Sequence, residues 1–216
     1  MRWRFCLLLS AGLLAAPGAG RVPSAAAAPP HPSGIEGVVR DEAGTPVSDA
    51  VVYLPEAAPA PPGGSASRTA VLDQKNRNFV PQAVVVRVGT TVRFPNSEAI
   101  HHSVYSFSRA KKFEIGLFRG QGAEVAFDHP GEVKIFCNIH KRMGALVVVV
   151  THPYAAVTDA NGRFVLRDVP VGAHTVRVAH VHSVGASWRL TVGPGPTQAD
   201  FRLAVVGPKR QPDPAY

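Results

Sequence analysis

Phe136-Cys137-Asn138-Ile139-His140-Lys141-Arg142-Met143-Gly144 places a thiol, an imidazole and a thioether at the spacing Cys-x-x-His-x-x-Met. A trigonal copper site combines these donor types as one thiolate, two imidazoles and a weak axial thioether. The second imidazole is missing from the loop, and Asn96-Ser97-Glu98-Ala99-Ile100-His101-His102-Ser103-Val104 supplies it upstream. Period-two patterning frames the loop. Val133 and Ile135 share the parity of Cys137, so a strand running into the loop turns the thiol inward. After Met143, Gly144 leads into Ala145-Leu146-Val147-Val148-Val149-Val150, a β-branched run expected to form a strand buried on both faces. Cys137 and Met143 then sit at facing strand ends, with His140 at the loop tip.

Taken singly, each of these residues has a plainer reading. A lone buried Cys is a small core hydrophobe, and a lone Met or His is packing or surface. The ordered set argues for a metal. Zinc is the alternative, but it takes thiolate, imidazole and carboxylate and has no use for a thioether. Two adjacent histidines compete for the upstream position. His102 has the parity of Val104, whereas His101 would serve only if the strand register slipped by one residue, which moves every side chain to the other face.

On these residues, the stretch from about Arg68 to Val150 resembles the cupredoxins, the blue-copper family of plastocyanin and amicyanin. The resemblance extends to Phe79-Val80-Pro81, the Val88-Gly89-Thr90 turn, Val92-Arg93-Phe94-Pro95-Asn96 and His102-Ser103-Val104. Two residues between His and Met make the ligand loop similar to the short one of amicyanin. The resemblance implies a Greek-key β-sandwich holding one type 1 copper ion through His102, Cys137, His140 and Met143. It also implies electron transfer and not catalysis, because four protein ligands leave no open position for substrate. Cupredoxin enzymes carry a His beside the Cys that relays electrons to a second copper centre. Here the neighbours of Cys137 are Phe136 and Asn138, so a carrier is expected and not an enzyme. Ser103 stands where the family commonly has Asn, whose amide ties the two ligand loops together, and the shorter hydroxyl is expected to leave the site looser. Proteins of this kind are labelled methylamine utilisation proteins by analogy with amicyanin.

The start of the chain bears on compartment. Met1-Arg2-Trp3-Arg4 followed by an apolar run over residues 5–16 reads as a secretory signal peptide spanning 1–28, with the apolar run too short to cross a membrane. Cys6 leaves with it, so Cys137 is expected to be the only cysteine of the mature chain, without an intramolecular disulfide. In an oxidising compartment a solitary thiol needs burial or a metal. The periplasm is the expected address. The formal charge is +8, and loss of Arg2, Arg4 and Arg21 leaves the mature chain basic. An exported protein rarely meets nucleic acid, so the expected partner is a redox protein that is acidic near its docking site, met by Lys141-Arg142 beside His140. A monomer with no transmembrane segment in the mature chain is expected. No acid-base pair, Ser-His-Asp order or phosphate loop occurs at meaningful spacing.

The flanks read as short strands, which makes the expected fold class all-β. Residues 35–40 and 50–54 are joined by hairpin-turn chemistry in Asp41-Glu42-Ala43-Gly44-Thr45-Pro46, and residues 154–158 and 163–166 by an Asn161-Gly162 turn. Residues 174–179, 188–192 and 200–203 add three more strands. Gly37-x-Val39-x-Asp41-x-x-Gly44-x-Pro46, with Val157-Thr158-Asp159-x-x-Gly162-Arg163-Phe164 and Val169-Pro170-x-Gly172, resembles the carboxypeptidase regulatory-like (transthyretin-like) β-sandwich. That resemblance implies one such domain, formed by 34–67 with its linker and 151–206, interrupted by the cupredoxin at 68–150. The alternative is an N-terminal hairpin joining the cupredoxin, followed by an independent C-terminal sandwich. Residues 29–33 form a Pro-rich spacer and 207–216 a loose tail. His180 and His182 are expected as exposed imidazoles near a strand end, without a third ligand for a second metal. Besides the carrier, two other functions fit the chain: copper storage or delivery, and an adaptor in which the cupredoxin is structural.

Overall fold

The computed structural model describes residues 33–56 and 69–206. The expected signal peptide and tail, all of the spacer but Ser33 and most of the linker lie outside them. Every regular element among the described residues is a strand. The first ten are β1 (Ser33–Arg40), β2 (Val51–Tyr53), β3 (Thr69–Val71), β4 (Asp73–Lys75), β5 (Asn78–Val80), β6 (Ala83–Arg87), β7 (Thr90–Arg93), β8 (His102–Ser108), β9 (Lys111–Phe118) and β10 (Glu124–Phe127). The others are β11 (Gly131–Phe136), β12 (Gly144–Val150), β13 (Ala155–Val157), β14 (Arg163–Arg167), β15 (Gly172–Ala179), β16 (Ala186–Val192), β17 (Gly195–Gln198) and β18 (Phe201–Arg202). The protein is all-β.

Pairing separates the strands into two groups. β1 pairs with β14, β17 and β18, while β2 lies between β13 and β15, with β16 beyond β15. The segments between residues 69 and 150 pair among themselves, as a β10-β7-β3 sheet, a β6-β12-β11-β8-β9 sheet and the β4-β5 hairpin. Side-chain parity then stacks the sheets in four layers. Ile35, Val39, Phe164 and Leu166 meet Val52, Val176 and Val178 in one core, and Val92 and Phe127 meet Val104, Val133, Ile135, Val147 and Val149 in another.

The two inner sheets lie back to back. Val51, Tyr53 and Ala179 from one pack on Ala83, Leu146, Val148 and Val150 from the other. Both β2 and β12 therefore serve two cores at once, which is why all three residues of β2 and all seven of β12 are buried. Each large aliphatic side chain hidden this way contributes about 1.5–3 kcal/mol. Polar groups close the seam. Glu132 Oε1 accepts from the Tyr53 hydroxyl at 3.0 Å and from Arg177 Nε at 2.5 Å. Burial, with the Glu132 carboxylate beside it, holds the Tyr53 hydroxyl above the ordinary tyrosine range.

Three expectations about the flanks change. The turn at Asp41 forms, with Asp41 N–H donating to Thr45 O and Val47 N–H to Val39 O, but β1 and β2 are not hairpin partners. Likewise Asp159 N–H donates to Arg163 O across the Asn-Gly turn, yet β13 and β14 lie in different sheets. Turn chemistry dictates a reversal of direction, whereas each strand's sheet is chosen by which side of the shared core it must cover. Gly162 (φ 72°) brings the second turn against the first, where a Cβ would lie 2.4 Å from Val39 O. β17, rich in Gly and Pro, has no strand signature and pairs with β1 at a sheet edge, a position where a proline's missing donor is tolerated. His180 and His182 are half-buried in a turn after β15 and not exposed.

That burial makes stability depend on pH. Burial, then the neighbouring His182 and Lys134, lower the His180 pKa to about 4, and burial also lowers His152 and His182. A neutral imidazole favoured by the fold contributes stability that is complete above the ordinary histidine pKa near 6.5 and is lost as pH falls towards 4. Urea midpoints should therefore fall between pH 7 and pH 4.5, and His180→Asn should flatten the slope. A variant with an unaltered slope would show that His180 is not the group responsible.

Candidate metal centre

The β11-β12 ladder ends where Phe136 pairs with Gly144. The next residue on one side and the preceding one on the other are Cys137 and Met143. Cys137 N–H donates to Met143 O at 3.3 Å, and Met143 N–H donates to His140 O at 2.9 Å, so the loop between them is closed at its base and its tip. Both sulfur side chains turn into the core, Cys137 at 3% exposure and Met143 at 0%. Inward parity continued from Val133 and Ile135 accounts for the thiol's direction.

His102 opens β8 and is fully buried. It faces Phe118, and Val104 faces Ile115, so an extra residue on β9 leaves His102 and Val104 on one face of β8. Cys137 Sγ lies 3.8 Å from His102 Nδ1 and 3.8 Å from His140 Nδ1, and the two Nδ1 atoms are 3.0 Å apart. The imidazole planes are tilted by 55° with their centroids 4.7 Å apart. His101 is exposed and stands outside this cluster. Met143 comes close through the closed loop, and its thioether is packed in the core that also receives Cys137.

The loop before His102 is held from within. Asn96 is buried, and its Nδ2 donates to Ile100 O and Phe118 O, both at 2.9 Å, while its Oδ1 accepts from Glu98 N–H at 3.0 Å. Glu98 in turn places Oε2 2.6 Å from His102 Nε2 and accepts from Arg77 N–H at 3.1 Å. A carboxylate only accepts, so the imidazole proton sits on Nε2 and the Nδ1 lone pair faces Cys137 and His140. The spacing Glu98-x-x-x-His102 was visible in the sequence, but spacing in an irregular loop does not show that a carboxylate turns back onto the imidazole.

Ser103 does more than its size promised. Asn138 N–H donates to its Oγ at 3.0 Å, and the same hydroxyl lies 3.8 Å from Cys137 Sγ. The hydroxyl thus links the start of β8 to the residue after Cys137.

The donor set fits one ion. Sulfur and nitrogen atoms 3.0 to 3.8 Å apart leave room for a metal bonded to each at about 2 Å. The three are a cysteine sulfur and two imidazoles with no carboxylate oxygen among them, since Glu98 meets the far nitrogen of His102. Sulfur with imidazole, and a buried thioether beside it, is the softer combination that copper prefers.

No family model and no curated protein matches the sequence. Among solved structures the chain is similar to a purple cupredoxin from Nitrosopumilus maritimus, at 24% identity over 38% of this chain and 99% of that one, with a TM-score of 0.35. It is similar to a reduced variant of amicyanin at 21% identity over 46% of this chain and 98% of that one, with a TM-score of 0.35. A copper-containing nitrite reductase from Thermus scotoductus matches at 22% identity over 44% of this chain and 25% of that one, with a TM-score of 0.36. Each likeness covers less than half of this chain, and what the site binds rests on its own donors.

Two substitutions probe the supports. Glu98→Ala should lower metal affinity by about 10–100-fold, as loss of a partner that orients a ligand does. Titration with Cu(II) against a competing chelator measures it, and an unchanged affinity would remove Glu98 from the site. Ser103→Ala removes the acceptor of the Asn138 N–H and should destabilise the metal-free chain by about 0.5–1.5 kcal/mol in chemical denaturation.

Proposed function

We propose that this chain is an exported type 1 (blue) copper protein that carries single electrons between periplasmic redox partners. The observation that carries the reading is the convergence of His102 Nδ1, His140 Nδ1 and Cys137 Sγ beside buried Met143. When bound, copper supplies a one-electron couple between Cu(I), which prefers sulfur, and Cu(II), which prefers imidazole nitrogen. The chain's part is to hold a mixed donor set still. Cys137 and Met143 are fixed at the ends of two paired strands, His102 is locked by Glu98, and Ser103 links the two ligand loops.

The reading divides the chain into a signal peptide (1–28), a cupredoxin (68–150) and a regulatory-like sandwich built from 34–67 and 151–206. Among the described residues, β1 and β2 pair with strands beyond residue 154 and with none of the strands between 69 and 150, which supports insertion over flanking. Export rests on the basic start and apolar run of the first 28 residues.

The electron's route is argued from exposure. His102 is sealed, while His140 is partly open and is followed by exposed Lys141 and Arg142. Ile139 beside it is 50% exposed, which gives a docking partner an apolar centre with a basic rim. An acidic redox protein fits that surface.

The mature chain should take up one equivalent of Cu(II) with an intense visible thiolate-to-copper band that bleaches on reduction and returns on reoxidation. Cys137→Ser should abolish the band. Metal bound without that band, or without reversible bleaching, would favour storage or delivery; no metal bound would leave the adaptor. Lys141→Glu with Arg142→Glu should slow electron exchange with an acidic partner and reduce its salt dependence, measured by stopped-flow, while leaving the band unchanged.

A further inference from the structure

The outer sandwich reaches the base of the metal centre at the turn after β15. After β15 the chain makes a turn through His180, Val181, His182 and Ser183, with Ser183 N–H donating to His180 O at 3.0 Å. Val181 is 5% exposed and packs in the seam with Leu146, Val148 and Phe136. Its position is specific. A methyl group added at Gly144 would meet Val181 Cγ2 at 3.1 Å and the Phe136 ring at 3.3 Å. Phe136 and Gly144 are the last rung of the ladder, directly before Cys137 and directly after Met143. Lys134 Nζ donates to Ser183 O and latches the same turn to β11 two residues before that rung.

We propose that the 180–183 turn of the outer sandwich is a positioning element of the metal centre, with Val181 as a wedge that braces the Phe136–Gly144 rung and so sets how Cys137 and Met143 face each other. The inference rests on the copper reading given above. Cys137 and Met143 reach the site from the two ends of one rung, and a rung can tilt unless its outer face is supported. Solvent does not supply that support, because the outer face of Phe136 and Gly144 is covered by Val181. The absence of a side chain at Gly144 lets the wedge come this close. The outer sandwich is therefore part of the centre and not an independent module carried beside it.

The test uses the whole mature chain and three substitutions. Val181→Ala removes the wedge, and Val178→Ala removes the same two methyl groups from the outer sandwich's own core, where Val178 is fully buried. Both should lower the thermal midpoint of the metal-free chain. Only Val181→Ala should also change the position or intensity of the thiolate-to-Cu(II) band and lower copper affinity by about tenfold or more. Gly144→Ala pushes on the same contact from the other side and should disturb the band too. Combined with Val181→Ala it should recover towards wild type, a non-additivity expected only of groups in contact. This arm decides the matter if Val181→Ala alone does not fold. A Val181→Ala chain with the wild-type band and affinity, or additive behaviour in the double variant, overturns the wedge while the copper reading stands. A wild-type chain that takes up no copper overturns both.

Discussion

Burial of β12 on both faces is the constraint from which the architecture follows. A strand that alternates apolar and polar residues can face water on one side, but Ala145 to Val150 offers no polar face. Ala145, Val147 and Val149 fill the core that contains Cys137 and Met143, which leaves Leu146, Val148 and Val150 needing a second cover. β2 has the same property over three residues and supplies that cover together with β15. Two sheets that each need a cover on their outer face meet across the seam. The loop from Cys137 to Met143 leaves the end of β12 in this doubly buried layer, where the Phe136–Gly144 pair and the Cys137 N–H to Met143 O bond close its base.

The ligand loops are organised differently, by polar groups and not by apolar periodicity. Buried Asn96 bonds two backbone groups of the irregular segment before His102, Ile100 O and Glu98 N–H, and Phe118 O at the end of β9, so it ties that segment to the sheet from inside. Glu98 then reads the tautomer of His102, and Ser103 reaches across to the residue after Cys137. Deleting any of these removes a link between the elements that carry the donors, so the cost falls on the donor geometry as well as on stability.

This difference explains what was legible in the sequence. Period-two parity turned Cys137 and His102 inward, and the valine run announced a strand hidden on both sides; the structure has these features because parity and burial are local consequences of residue type. The sheet that each flanking strand joins was not legible. Asp41 to Pro46 and Asp159 to Gly162 both spell a reversal, and both reversals occur, but each sends the chain to the opposite layer because the core between the layers has to be covered from both sides. Glu98 was unreadable for another reason: a polar side chain in an irregular loop has many possible partners, and only the folded backbone selects one. His180 and His182 looked like surface residues because they follow a strand end without a third ligand nearby; the turn that carries them is instead drawn against the seam through Ala179 and Val181.

The two imidazoles end in unlike surroundings, and the difference is a division of labour within the proposed carrier. His102 is sealed, anchored by a carboxylate and set at the start of a strand, so it can hold an ion but cannot reach a partner. His140 sits in a seven-residue span pinned at Cys137, Met143 and its own carbonyl, which allows its edge to meet solvent without freeing its Nδ1 from the cluster. A carrier of the proposed kind has to satisfy both demands: donors that stay put when the metal changes charge, and one ring near enough to the surface to pass an electron. Under that proposal the fold would meet the first by anchoring Cys137 and Met143 beside a rung between two cores, and the second by keeping the loop that leaves that rung short.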